Sequence, residues 1–432
     1  ARRAPPLPAE ASAKEAHLPR NGKPILVVGG GIGGLSTALA LGRKGWRVRV
    51  LEQTPELGAI GYGIQLGPNV FPMFDRFGIR DAVMAQSIVP GACLMLDALT
   101  GEEIVRVPTG ASLLQRFGHP YIVLHRVDLH HVLMDACRVV PAIELESSTT
   151  VTGVDDLGDR VVARTERGET IEGEALIAAD GLRSRIRAQL LDDGEPRPIG
   201  YVAHRTMVPM AEVTADVHRT DVVLWGGPGF HIVHYPLRHG TLFNIVAVFR
   251  TSTYAEKGDV DGYRAELART YRAAHPTMKA LLGMMDLERR WPIGDRDPVR
   301  HWCKGRVALL GDAAHPTLQS FAQGACMAIE DAVCLAELID LAQGDCASAF
   351  RQYQAARLLR TARIQLESRS MWEFYHLDGI ARDVRNDTCR RWSEQDVFRC
   401  LEWIYDGFTL PTESDTSAAA PARDRALTGS AA

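Results

Sequence analysis

The 432-residue chain has no apolar run approaching the roughly 18 residues that span a bilayer, so no helical membrane anchor is expected. Its eight cysteines form no CxxC pair and no regular spacing, which speaks against a disulfide scaffold. Reduced thiols and a cytoplasmic location are expected instead. HExxH and Cys/His clusters are missing, so no metal site is expected. A net charge of −4 argues against a nucleic-acid partner. Internal repeats are absent. What remains, 24% charged and 46% hydrophobic residues over 432 positions, suits a globular protein of two or more domains. Residues 1–22 are Ala/Pro-rich without an apolar signal core, and 411–432 are small and polar. Both stretches read as disordered tails.

The stretch Pro24 to Glu52 organises the rest. Ile25 to Val28 is an apolar, β-branched-rich run, as in a strand buried on both faces. Gly29, Gly31 and Gly34 follow at GxGxxG spacing, with Gly33 beside them. Glycines there permit a tight turn, close approach of a pyrophosphate and close packing of helix on strand. Leu35 to Arg43 continues as a helix whose N–H groups and dipole face the phosphate. Val48 to Leu51 is a second strand and Glu52 ends it, 18 residues after Gly34. A carboxylate there accepts the ribose hydroxyls of an adenosine. A lone GxGxxG is weak evidence, but strand, turn, helix, strand and acid in register point to dinucleotide binding.

Along the chain, Gly58, Gly61, Gly63 and Gly67 punctuate a loop suited to lying flat against something planar. Short β-like runs occupy 77–107. His125-Arg126-Val127-Asp128 opens a helix, with Asp128 an N-cap or first-turn acid. Strands are expected at 144–146, 161–165 and 175–178, the last running into Asp180-Gly181 and a helix through Arg187. Residues 199–250 alternate as long antiparallel strands, and 261–286 are helical. Trp291 to Val299 reads as a loop. Val307 to Leu310 is a buried strand leading into Gly311-Asp312. An amphipathic helix spans 324–342, and 348–370 forms another with Arg351, Arg357, Arg360, Arg363 and Arg369 on a solvated or interface side. The expected organisation is a mixed α/β (α+β) fold. A discontinuous Rossmann-like nucleotide domain takes 23–76, 104–190 and 290–345. An inserted antiparallel β-sheet domain for substrate takes 77–103 and 191–289, and a helical region covers 346–410.

Three turns, Gly29–Gly34, Asp180-Gly181 and Gly311-Asp312, each follow an apolar strand and precede a helix, so they would converge at the strands' carboxyl ends. With these motifs in this order, residues 24 to 385 resemble the single-component flavin-dependent aromatic hydroxylases, the para-hydroxybenzoate and salicylate hydroxylase family. The resemblance implies FAD, with Gly29, Gly31, Gly33, Gly34 and Glu52 on its ADP half. It puts Arg126 near the pyrophosphate and ribityl chain, and Asp180 in a motif serving both FAD and the incoming pyridine nucleotide. Asp312 would bind ribityl hydroxyls. Gly324 and Ala325 would offer N–H groups to the flavin pyrimidine edge at a helix N-terminus, which favours negative charge on reduced flavin. The chain departs from the family in one place, carrying Gln319 where a proline is common three residues after Pro316. An amide beside the flavin suggests a substrate-facing role.

In Phe230-His231-Ile232-Val233-His234-Tyr235, strand alternation sets His231 and Tyr235 on one face and His234 on the other. A His and a Tyr so placed suit a phenol carboxylate. This string, with Gln319 and the segment Met371 to Gly379, resembles the 3-hydroxybenzoate 6-hydroxylase subgroup, in which matching positions bind or activate substrate. The resemblance implies NADH as a transient donor, O₂, a flavin C4a-hydroperoxide, and gentisate as product. No second GxGxxG serves NADH, and a homodimer is compatible with the pattern. Attack on an electrophilic oxygen is fastest from a phenolate, whose parent pKa is near 10, so a base is needed. His231 is assigned that role, with His204 or His315 next. The competing readings are a decarboxylating salicylate hydroxylase, a flavin oxidase or reductase, and a non-enzymatic redox sensor.

Overall fold

The computed structural model describes residues 22–56, 61–251 and 260–412. Gly58, residues 1–21 and residues 413–432 lie outside that range, and with them almost all of both expected tails. Among the described residues the central element is a six-stranded sheet. Its order is Cys303–Lys304, Val307–Leu309, Leu176–Ala178, Ile25–Val28, Val48–Leu51, Ile143–Glu146, parallel except for the first short strand. Ile25 to Val28 is buried on both faces, as its unbroken apolar run requires. Helices Ile32–Arg43 and Gly324–Leu341 pack together over this sheet, where the main hydrophobic core sits.

A seven-stranded sheet lies beside it, ordered Trp291–Asp295, Arg197–Pro209, Leu242–Arg250, Phe230–Leu237, Val222–Gly227, Ala92–Asp97, Glu103–Pro108. One face carries a second core built on Ile232, Phe243, Ile245 and Phe249. Three-stranded sheets formed by 151–173 and by 63–66, 87–88 and 122–125 complete the layers.

Several expectations are corrected. The large sheet is not wholly antiparallel, because Val222–Gly227 pairs in parallel with Ala92–Asp97, a strand delivered from a distant part of the chain. Glu103–Pro108 pairs with Ala92–Asp97 as a hairpin, so a boundary at 103/104 would cut through a ladder. Trp291–Asp295 is an edge strand on Arg197–Pro209 rather than a loop. Within 77–107, Arg80–Ala85 is helical. Asp128 is the first-turn acid of helix Arg126–Arg138 and pairs with Arg238 at 2.9 Å, while the cap is His125, accepting from Val127 N.

Helix Gly324–Leu341 is buried nearly all round instead of amphipathic. Its Glu330 and Asp331 are fully buried, and so is Arg357 of helix Cys346–Tyr375, which meets each of them at 2.7 Å. Arg357 is therefore a core ion and not a member of a solvated stripe. Charges this deep persist only because they are paired and hydrogen-bonded.

Candidate active site

A cavity of about 1380 Å³ runs between the two large sheets and the C-terminal helices. Strands 25–28, 176–178 and 307–309 are neighbours, so the turns that follow them open on the same cavity. Gly29 has φ +101°, and a Cβ there would strike the Ala179 carbonyl; one on Gly34 would strike the Gly29 carbonyl. Gly31 has nothing within 4 Å of its missing side chain, which leaves open space in front of an uncapped helix N-terminus. Gly33 packs instead on Leu310 and Ala328. Glu52 Oε2 accepts from Gly30 N at 2.6 Å, and Oε1 accepts from Thr54 N at 2.8 Å and Thr54 Oγ1 at 2.9 Å. A carboxylate has about four acceptor sites, so capacity remains for further donors.

Asp180 Oδ2 accepts from Arg185 N at 3.0 Å, while Oδ1 is buried without a partner. Burial raises its pKa. Arg187, fully buried, donates to the carbonyls of Ala313 at 3.0 Å and Ala314 at 2.6 Å, tying the Asp180 helix to the Asp312 turn. Asp331 steadies that turn from below, accepting from Gly311 N at 3.2 Å and meeting His315 Nε2 at 2.6 Å. Asp312 is exposed to the cavity, and desolvation by the surrounding protein raises its carboxyl pKa against the pull of His315 and Arg126. The helix at Gly324 begins beside it without a side-chain cap, its missing Cβ site 3.7 Å from Asp312 Oδ1. Arg126, Gly324 and Ala325 all line the cavity.

The opposite wall is one face of the seven-stranded sheet. Cross-strand pairing sets Arg205, Val246, Val233, Leu224, Met95 and Val105 in a single row, and all six line the cavity. Arg205 is the only charged member. It donates from Nη2 to Gln319 Oε1 at 2.9 Å, and burial lowers its pKa. No carboxylate pairs with it among the described residues. His231 and Tyr235 flank Val233 on the same face, as alternation requires. Burial raises the Tyr235 pKa, with the Arg205 charge and the Gln65 side chain acting against that rise. His231 is 1% exposed, and burial together with the neighbouring His376 lowers its pKa well below the ordinary value. Its Nδ1 lies 2.8 Å from His376 Nε2.

The other histidines are elsewhere. His234 accepts from Trp225 Nε1 at 3.1 Å on the far face, and His204 meets Tyr263 OH at 2.6 Å there. His315 is bound to Asp331 and does not line the cavity. Both alternative bases are thus turned away. Arg205 and His376 were not singled out by sequence. The signal for Arg205 is a lone charge on the apolar face of an alternating strand, and for His376 it is an aromatic cluster at a helix end. Among the described residues no His/Cys/Asp/Glu group could hold a metal, and the cysteines are unpaired.

Residues 23–367 match the family model of the FAD binding domain. A 3-hydroxybenzoate 6-hydroxylase of Klebsiella oxytoca is 40% identical over 380 residues, covering 88% of this chain and 96% of that protein. Another, from Polaromonas naphthalenivorans, is 41% identical over 382 residues, 88% of this chain and 95% of the relative. The chain belongs to the FAD-dependent aromatic hydroxylases. Klebsiella pneumoniae HpxO complexed with FAD and uric acid shares the fold at TM-score 0.75 and 26% identity, covering 88% of this chain and 95% of its own.

The cavity of this hydroxylase fits FAD. An orphaned buried carboxylate oxygen on Asp180, open space at Gly31 and two uncapped helix N-termini await donors and negative charge. Gly29, Gly31, Gly33, Gly34 and Glu52 would hold the ADP half. Arg126, Asp180 and Asp312 would hold the middle, and Gly324 and Ala325 the flavin edge.

Proposed function

We propose that the enzyme hydroxylates a phenolic benzoate in the cytoplasm, most specifically 3-hydroxybenzoate para to its hydroxyl. The overall reaction is 3-hydroxybenzoate, O₂, NADH and a proton to 2,5-dihydroxybenzoate (gentisate), NAD⁺ and water. Bound FAD supplies the oxygen activation, with NADH as transient donor, and the protein supplies position and charge. The observation that carries this reading is the polar group Arg205, Gln319, Tyr235 and His231 on an otherwise apolar cavity wall.

Arg205, a cation without an acid, suits the substrate carboxylate, because planar guanidinium matches carboxylate geometry. Gln319 orients Arg205 through its Oε1 and leaves its own amide N–H groups for substrate. His231 Nε2, the nitrogen not engaged by His376, takes the phenol proton. Tyr235 offers its hydroxyl to the same ring. The row Val246, Val233, Leu224 and Met95 keeps water from the reacting carbon.

The test is product identification. Yellow protein, NADH, air and 3-hydroxybenzoate should yield gentisate. Catechol with CO₂ from salicylate would favour the decarboxylating alternative, and NADH consumption with peroxide alone would favour an oxidase or reductase.

A further inference from the structure

The catalytic base proposed above is not held by a carboxylate. Among the described residues no Asp or Glu hydrogen-bonds either His231 or His376; the two imidazoles bond only to each other, Nδ1 of the first to Nε2 of the second at 2.8 Å. The pair is clamped from several elements. Trp372 stands edge-on to both rings, with centroids 5.2 Å from each. Tyr375 meets His231 at 5.8 Å, and Tyr201 stacks on His376 at 4.8 Å. The charged groups acting on His376 are Arg250 and Arg385, both of which oppose its protonation. His376 is 8% exposed, and burial lowers its pKa to about 3. Both rings are therefore neutral at working pH, and one proton lies between them.

Which ring owns that proton decides what faces the substrate. If His376 Nε2–H donated, His231 would carry its own hydrogen on Nε2 and meet a phenol as a donor. If His231 Nδ1–H donates, Nε2 is a bare acceptor facing the cavity. His376 Nδ1 has no hydrogen-bond partner among the described residues, so no bond on that side opposes hydrogen there, and a base at His231 needs its own Nε2 bare. That leaves His376 Nε2 as the acceptor. The bond made by one ring nitrogen sets the state of the other.

We propose that His376 is the positioning residue of the base: it accepts the Nδ1 proton of His231, so that bare Nε2 faces the substrate phenol. The phenol O–H bond breaks, its electron pair stays on oxygen, and the proton forms the Nε2–H bond of His231. The resulting cation is shared with His376 through the retained Nδ1–H bond. This role presupposes that His231 is the base, and the experiment separates the two.

The readout is the ultraviolet phenolate band of bound 3-hydroxybenzoate on the oxidised, FAD-loaded enzyme, titrated between pH 5 and 10 without turnover. In the wild type the bound phenol should ionise well below its free pKa near 10. His376→Phe keeps the ring stack on Tyr201 but removes the acceptor, and should raise the apparent ionisation pH by about one unit, a tenfold loss. His376→Gln sets an amide oxygen near the lost Nε2 and should recover most of the shift. A Phe variant that titrates like wild type overturns the proposal, and so does a Gln variant shifted as far as Phe, since the role would then be packing. If His231→Asn also leaves the titration unchanged, the base reading itself falls. Should the variants not hold FAD, ¹⁵N spectra of the wild-type histidines decide: hydrogen on His231 Nε2 instead of Nδ1 sinks the idea.

Discussion

Arg205 Nη2 donates to Gln319 Oε1 across 2.9 Å, joining a strand of the large sheet to the turn that precedes the Gly324 helix. The bond sets an unpaired cation of the sheet wall near the helix end that would meet the flavin. If the cation holds a substrate carboxylate, Arg205→Gln removes a charge-assisted bond worth roughly 1.5–3 kcal/mol, about one to two decades. KM for 3-hydroxybenzoate should rise by that much while FAD content is unchanged. Steady-state kinetics at fixed flavin loading checks it, and an unaltered KM would move the carboxylate elsewhere.

Gln319→Ala leaves Arg205 charged but free to swing. A misplaced ring lets oxygen escape as peroxide, so H₂O₂ released per NADH should increase while flavin reduction by NADH remains competent. Peroxide assay beside product yield measures this. Wild-type coupling in the variant would make Gln319 a bystander.

Glu52→Ala removes the acceptor that orders Gly30 N and Thr54 and would receive the ribose hydroxyls. FAD should bind about one to two decades more weakly, on the same roughly 1.5–3 kcal/mol scale. Fluorescence titration of the apoprotein with FAD is the check, and unchanged affinity takes Glu52 out of the site.

Strand, glycine turn, helix and acid were legible because each is local: apolar runs, GxGxxG and the alternation that pairs His231 with Tyr235 need no knowledge of distant residues. What stayed hidden is what sheet pairing creates. Arg205 acquires meaning only when Val246 and Val233 come alongside it, and His376 only when a helix end 145 residues away reaches His231. Arg357 read as one charge of a solvated or interface side because its partners Glu330 and Asp331 belong to another helix. The Glu103–Pro108 strand was mistaken for the start of the nucleotide segment because nothing in its composition tells which sheet it joins.

Buried neutral histidines make stability fall on mild acidification. Burial lowers His204 to about 4 and His234 to about 3, while unfolded histidine titrates near 6.5. Below pH 6.5 the unfolded chain binds protons that the folded chain refuses, so stability is full above 6.5 and declines as pH falls toward the folded values. Each such histidine contributes a slope of up to about 1.4 kcal/mol per pH unit in that window. Denaturant midpoints at pH 7.5, 6.0 and 5.0 should therefore decline, and His204→Phe should flatten the decline if its ring is accommodated. A midpoint independent of pH over that range would contradict the burial.

His231 is the residue on which the chemistry turns, and its environment sharpens the prediction. Burial and His376 hold its pKa well below 6.5, so the acid limb of kcat/KM, which reports the free enzyme, should lie below 6.5. A base that resists protonation is weak in isolation against a phenol near 10, so its power must come from stabilising the phenolate it forms. The Tyr235 hydroxyl, which lines the same cavity beside His231, is the donor available for that. His231→Asn keeps hydrogen-bonding capacity but cannot accept the proton. General-base catalysis is typically worth 10²–10⁴-fold, so oxygenation at pH 7 should slow by about that factor. Flavin reduction should change far less, because hydride transfer does not require a phenolate. Raising the pH toward 10 should restore part of the rate by ionising the phenol before it binds. Stopped-flow measurement of the two half-reactions separates these effects. A variant oxygenating at the wild-type rate at pH 7 excludes His231, and with His204 and His315 turned away from the cavity, the base would then be none of these three histidines.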